Sequence, residues 1–152
     1  MASYSHSKLS TFDQCKYKYK LAYIDFIRTG ITTIEAFLGD LVHRALEKLY
    51  MDLKVNRLNS KDDLLKYYSF LWEKEWRDSI VIVKEFFDAD YYKNLGLKFL
   101  MDYYDKYTPF DQLKTIGLET KNMLGLSNEN KYHVRIDRLA SDDEGNYYVI
   151  DY

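Results

Sequence analysis

Two aspartates late in the chain carry its plainest chemistry. Lys131 to Tyr152 reads KYHVRIDRLASDDEGNYYVIDY. In the first part Val134 and Ile136 alternate with His133, Arg135 and Asp137, the period of a strand with one apolar and one polar face. In the second part Tyr147, Tyr148, Val149 and Ile150 make a short apolar run that stops at Asp151. Between them Asp142-Asp143-Glu144-Gly145 offers turn chemistry, with Gly145 free to take a positive φ. The stretch therefore reads as a hairpin with one aspartate near the end of each strand. Two carboxylates brought together in this way suit a hard divalent cation such as Mg²⁺.

The elements before the hairpin read mostly as helices. The first spans about Lys8 to Ile24, with Ser7 as its N-cap. Phe12, Cys15, Tyr19, Ala22, Tyr23 and Phe26 fall at helical spacing and make one apolar stripe. On that stripe Cys15 reads as a small buried apolar residue. Lys16, Lys18 and Lys20, interleaved with Tyr17 and Tyr19, form a basic patch that is either a solvated face or a phosphate contact. A second helix starts at a capping box, Thr32-Thr33-Ile34-Glu35, and runs to about Met51. Its core stripe is Leu38, Leu41, Val42, Ala45, Leu46 and Leu49. Asp40, His43, Arg44 and Glu47 recur on another face, where His43 taken alone reads as a surface histidine.

A third helix, about Lys61 to Asp78, is capped by Asn59 or Ser60 and turns Leu64, Leu65, Tyr68, Leu71, Trp72 and Trp76 inward. A fourth, about Asp90 to Lys106, carries Tyr91, Leu95, Leu97, Leu100, Met101 and Tyr104, and Pro109 marks its end. Ile80 to Val83 is β-branched and reads as either a short strand or part of a helix. A strand covers about Leu113 to Met123, with Glu119 on its polar face. His133 and Arg135 share the polar face of the next strand with Asp137 and either meet phosphate or face water.

The hairpin pattern I-D-R-x-x-x-(acidic)-G-x-Y-x-V-I-D-Y resembles the core of the PD-(D/E)XK nucleases, most closely the RecB-type and CRISPR-associated exonuclease branch. Asp137 matches the first motif aspartate and Asp151 the second acidic residue; the motif lysine would follow Tyr152. Val134 stands where the family often has Gly. Gly39 to Glu47 is similar to the family's G-x-x-x-H-x-x-L-E helix, whose His lies beside the metal, and this resemblance makes His43 a metal ligand. Imidazole favours Mn²⁺ over Mg²⁺, so both ions are expected. Glu119 stands where the family often has a further Glu near the metal. Ser5 to Tyr19 resembles the branch's opening signature S-x-S-x-L-x-x-(aromatic)-x-x-C-P-x-x-(aromatic), with Lys16 in place of Pro. In several relatives this Cys is the first ligand of an iron–sulfur cluster completed by three later cysteines. The resemblance therefore allows Cys15 that role only in a longer chain.

Composition sets the outer bounds. A chain of 152 residues fits one domain with a real core. Its formal net charge of −2 is not the footprint of a strongly basic nucleic-acid binder, although an acidic metal site offsets a local basic patch. With Cys15 alone no internal disulfide forms, which fits a reducing, cytoplasmic setting. No apolar run is long enough to span a bilayer, and the polar start is not a signal peptide. The 16 tyrosines are spread along the whole chain, which speaks for coding bias over base-stacking aromatics.

The fold expected is α+β with a restriction-endonuclease-like core: residues 1–110 helical, then a three-stranded antiparallel sheet over 111–152 that is incomplete at its C-terminal side. The resemblance implies metal-dependent DNA cleavage of an exonuclease type in repair, recombination or CRISPR-related processing, with a helicase or repair complex as partner. The fragment itself is expected to be weak or inactive and to self-associate through its open sheet edge. One alternative is a non-catalytic PD-(D/E)XK-like module that binds DNA or a protein. Another is a helical interaction domain with a fortuitous hairpin.

Overall fold

The computed structural model describes residues 2–27, 30–126 and 130–152. Its elements run β1 (Ala2–Ser5), α1 (His6–Gln14), α2 (Lys16–Tyr19), a π-helical turn (Lys20–Ile24), β2 (Thr32–Thr33), α3 (Ile34–Lys54), α4 (Lys61–Glu75), β3 (Ile80–Val81), α5 (Ala89–Tyr107), β4 (Lys114–Gly125), β5 (Asn130–Ser141) and β6 (Tyr147–Ile150). The α+β class expected from the sequence is present. The sheet differs from the expectation of three antiparallel strands: it has four, in the order β1-β5-β4, with β6 also paired to β5. The extra strand is β1, which runs parallel to the start of β5, with Ala2 opposite Asn130 and Ser5 opposite His133. No helix among the described residues is long and apolar enough to cross a membrane.

The chain forms two compact units, Met1–Gly30 with Glu119–Ile136, and Ile31–Leu118 with Asp137–Tyr152. In the first unit Ser5, not Ser7, caps α1: it ends β1 in extended geometry and its Oγ accepts from Lys8 N at 3.3 Å. The single helix expected from Lys8 to Ile24 is interrupted at Cys15, whose backbone is extended at φ −159° and ψ 107°. The break keeps its hydrogen bonds. Cys15 N donates to Thr11 O at 3.0 Å, and its Sγ accepts from Lys18 N at 3.4 Å, so Cys15 closes one helix and caps the next. Cys15 is accordingly exposed rather than buried on an apolar stripe. Part of the stripe survives as ring contacts, with Phe12 edge-on to Tyr19 at 5.1 Å and Tyr19 beside Tyr23 at 5.2 Å.

The second unit holds the main core, built from α3, α4 and α5. Leu38, Leu41, Ala45, Leu46 and Leu49 of the α3 stripe are buried, and Val42 is half-buried. Thr33, not Thr32, caps α3, its Oγ1 accepting from Ala36 N at 3.4 Å. Thr32 is held instead in a two-residue parallel ladder with Ile80, which also settles Ile80–Val81 as a strand. A capping box does form at α4, between Ser60 and Asp63. Trp76 lies beyond the end of α4 and is exposed, though its ring stacks on Trp72 at 5.5 Å. On α5 Tyr92, Gly96 and Leu100 are buried; of the expected stripe Leu100 is buried and Leu95, Leu97 and Tyr104 pack against the core, while Tyr91 and Met101 are exposed. Tyr91 stacks outside on Phe87 at 4.1 Å, while Tyr92 reaches Glu35 through its hydroxyl at 3.1 Å. The bidentate bond of Arg44 to Glu75, at 2.7 and 2.6 Å, fastens α3 to α4.

Candidate metal centre

The site is assembled from one helix and one hairpin of the second unit. In the hairpin Arg138 pairs with Ile150 and Ser141 with Tyr147, so the antiparallel register sets Asp137 opposite Asp151. The turn that fixes this register is pinned by Asp142. Its carboxylate accepts from Glu144 N at 3.0 Å, from Asn146 N and Nδ2 at 2.9 Å each, and from the Tyr148 hydroxyl at 2.8 Å. Gly145 takes φ +88°, as the turn requires.

These donors pull the Asp142 carboxyl down to about 2, the Asn146 amide contributing most. A folded value below the unfolded 3.8 means that Asp142 stabilises the hairpin above about pH 4, and that this is lost as pH falls through about 2. Carboxyl NMR should show Asp142 titrating about two pH units below an ordinary aspartate. Asp142→Asn should lower Tm at pH 7 and have little effect below pH 2.

His43 comes to the hairpin from the middle of α3. Its Nδ1 stands 3.0 Å from Asp137 Oδ2, and Tyr152 N donates to the same oxygen at 3.3 Å. One donor atom from each of His43, Asp137 and Asp151 lies within 4.8 Å of the others. An ion bound at about 2.1 Å spans ~4.2 Å between opposite ligands, so a small contraction closes the group on a single cation. His43 and Asp137 are half-buried and Asp151 is exposed, which leaves one side of the group open to an incoming ligand. The Asp151 carboxyl is held above the ordinary carboxylate range, chiefly by the hydrogen bond that it shares with Asp137, then by burial and repulsion from the same group. Two carboxylates that crowd each other in this way are suited to a shared cation. Two hard oxygens with one imidazole nitrogen fit Mn²⁺ well and Mg²⁺ acceptably.

The remaining sequence candidates lie as follows. Glu119 and Arg135 form an ion pair with each other in the first unit, and Glu119 is not one of the three grouped donors. Lys20 pairs with Asp25 at 2.7 Å, Lys16 lies 5.6 Å over the Phe12 ring, and the Lys18 side chain is exposed. Sequence reading missed Arg138. It is 5 % exposed, and its guanidinium lies 3.7 Å over the Tyr50 ring. The available signals were its place after Asp137 in the I-D-R pattern and a charge on the apolar face of Val134 and Ile136. It also missed Asp142 as the pin of the hairpin, since one acidic turn residue looks like the next.

Among known proteins, no curated protein matches this chain. A family model described as the PD-(D/E)XK nuclease superfamily matches residues 3–152. That match takes in most of β1, the His43 helix and both strands of the aspartate hairpin, and the chain belongs to the PD-(D/E)XK nuclease superfamily.

Proposed function

We propose that this chain is a metal-dependent DNA nuclease of the RecB-like exonuclease type, with residues 1–152 forming one nuclease domain. The observation that carries the reading is the convergence of His43, Asp137 and Asp151 on a hairpin and helix of a PD-(D/E)XK chain. The three residues would hold one Mg²⁺ or Mn²⁺. Such an ion, when bound, supplies Lewis-acid stabilisation of charge developing on a phosphodiester. The protein's part is to hold Asp137 by the Tyr152 N–H and His43, and to keep the exposed side of Asp151 open to the phosphate.

Arg135 with Lys16, Lys18 and Lys20 would meet DNA phosphates. Cys15, exposed at a helix junction, is accessible to an iron–sulfur cluster if other cysteines supply the remaining ligands. A cytoplasmic setting and a role in repair, recombination or CRISPR-related processing, beside a helicase or repair complex, complete the reading.

The test is cleavage of end-labelled linear DNA by the full-length protein with Mn²⁺, Mg²⁺ or EDTA. Cleavage should need the metal, and Asp151→Asn should lower it by at least about 100-fold, the loss of one charge-stabilising group. Metal-independent cleavage, or an Asp151→Asn protein as fast as its parent, would end this reading.

A further inference from the structure

Arg138 is the one buried charged side chain among the described residues, and no carboxylate among them pairs with it. A guanidinium without a counter-charge is costly to bury unless its donors are used. Arg138 Nε donates to Thr115 Oγ1 at 3.0 Å and Nη2 to Leu113 O at 3.1 Å. Its guanidinium carbon lies 3.7 Å from the centre of the Tyr50 ring, a close cation–π contact in a dry setting.

This arrangement reaches the candidate metal centre from both sides. Arg138 follows Asp137 in β5, so fixing its backbone fixes where the Asp137 carboxylate starts. Tyr50 lies seven residues after His43, two turns along the same side of α3. Between them stands Tyr152, next to Asp151: it is stacked on Tyr50 at 6.1 Å and 10°, and edge-on to His43 at 5.9 Å and 82°. The Tyr50 hydroxyl is in turn bonded to that of Tyr103 on α5 at 2.7 Å. The Tyr152 hydroxyl is buried near the Arg138 guanidinium without a well-formed hydrogen bond, so this residue contributes chiefly as a ring.

We propose that Arg138 is a positioning residue for the metal group: clamped on Tyr50, with Tyr152 as the wedge, it sets the spacing between His43 on the helix and Asp137 and Asp151 on the hairpin. The inference rests on reading those three residues as a metal site. Partners behind metal ligands typically change affinity by about 10–100-fold when removed, because the ligands lose their aim.

The experiment is Mn²⁺ titration of the full chain by calorimetry, with the EPR spectrum of the bound ion, well below Tm. The parent should bind, and Asp137→Asn should not. Arg138→Met should bind about 10–100-fold more weakly with an altered EPR line shape, and Arg138→Lys should recover part of the loss. Arg44→Met, which breaks the α3–α4 fastening, should lower Tm and leave Mn²⁺ affinity where it was. If Arg138→Met does not fold, Tyr152→Leu decides, with the same weakening expected. Parent-like affinity and EPR spectrum in Arg138→Met, or in Tyr152→Leu where that variant decides, would overturn the positioning role alone. So would an equal loss in Arg44→Met. A parent that takes up no Mn²⁺ would overturn the metal reading and this inference with it.

Discussion

Asp137→Ala should abolish the rise in Tm that Mn²⁺ gives the parent chain. A ligand that binds only the folded state stabilises it by about 2.7 kcal/mol at a hundred times its dissociation constant. For a chain of this size each kcal/mol moves Tm by about 2–4 °C, so saturating Mn²⁺ should raise the parent by about 5–10 °C. Asp137 is the right residue to remove because it is the hub of the group. Its Oδ2 meets His43 Nδ1 at 3.0 Å and Tyr152 N at 3.3 Å, and it lies with Asp151 in the group of donors within 4.8 Å of one another. The variant will also lose some stability without metal, since those contacts vanish. The measurement is therefore the Mn²⁺-induced shift within each variant, taken by scanning fluorimetry. A full shift in Asp137→Ala would place the metal elsewhere.

The parts of the site that were legible in the sequence share a local cause. A strand that alternates, a turn rich in Asp and Gly and a second apolar run define a hairpin without knowledge of anything else, and the hairpin alone sets Asp137 opposite Asp151. The α3 core was legible for the same reason, because its stripe is written at helical period along one element. His43 was different. Its polar stripe gave no hint of a partner on the hairpin, and only the resemblance of Gly39 to Glu47 to a family motif singled it out.

What was not legible depends on contacts between distant segments. β1 is a four-residue strand that takes its extended form by pairing with β5, about 130 residues later. The break at Cys15 arises because its thiol competes as a cap for the next helix, which periodicity does not register. Thr32 offered a capping box and was taken by a ladder with Ile80. The clamp of Arg138 on Tyr50 joins residues 88 apart, and nothing local to either points to the other. For β1, Thr32 and Arg138 a long-range partner overrode a local preference, while at Cys15 one local bond displaced another.

Two glycines of the helices should respond to the same substitution with opposite signs. In a helix interior Gly→Ala is worth about 0.8–1.0 kcal/mol of added stability where there is room for the methyl group. Gly39 on α3 has that room, since a Cβ there meets nothing within 4 Å. Gly96 on α5 does not. A Cβ would overlap the Tyr68 hydroxyl, and would stand 2.5 Å from Tyr68 Cζ and 2.6 Å from Leu38 Cδ1. Neither neighbour yields easily: Tyr68 is fully buried with its ring beside Trp72 at 6.0 Å, and Leu38 belongs to the α3 core. Overpacking of this kind costs about 1–3 kcal/mol, and contacts this short argue for the upper part of that range or beyond. Close approach of the helices thus outweighs helix propensity at Gly96. Gly96→Ala should lower Tm by about 4–8 °C, while Gly39→Ala should raise it by about 2–4 °C. Tyr68→Phe should relieve part of the Gly96→Ala loss, because the Tyr68 hydroxyl is buried with no hydrogen-bond partner and its removal leaves no other group unpaired. Thermal melts of the three single variants and the Gly96→Ala/Tyr68→Phe double variant measure all of this. A Gly96→Ala protein as stable as Gly39→Ala would mean that α4 and α5 do not meet as closely as described.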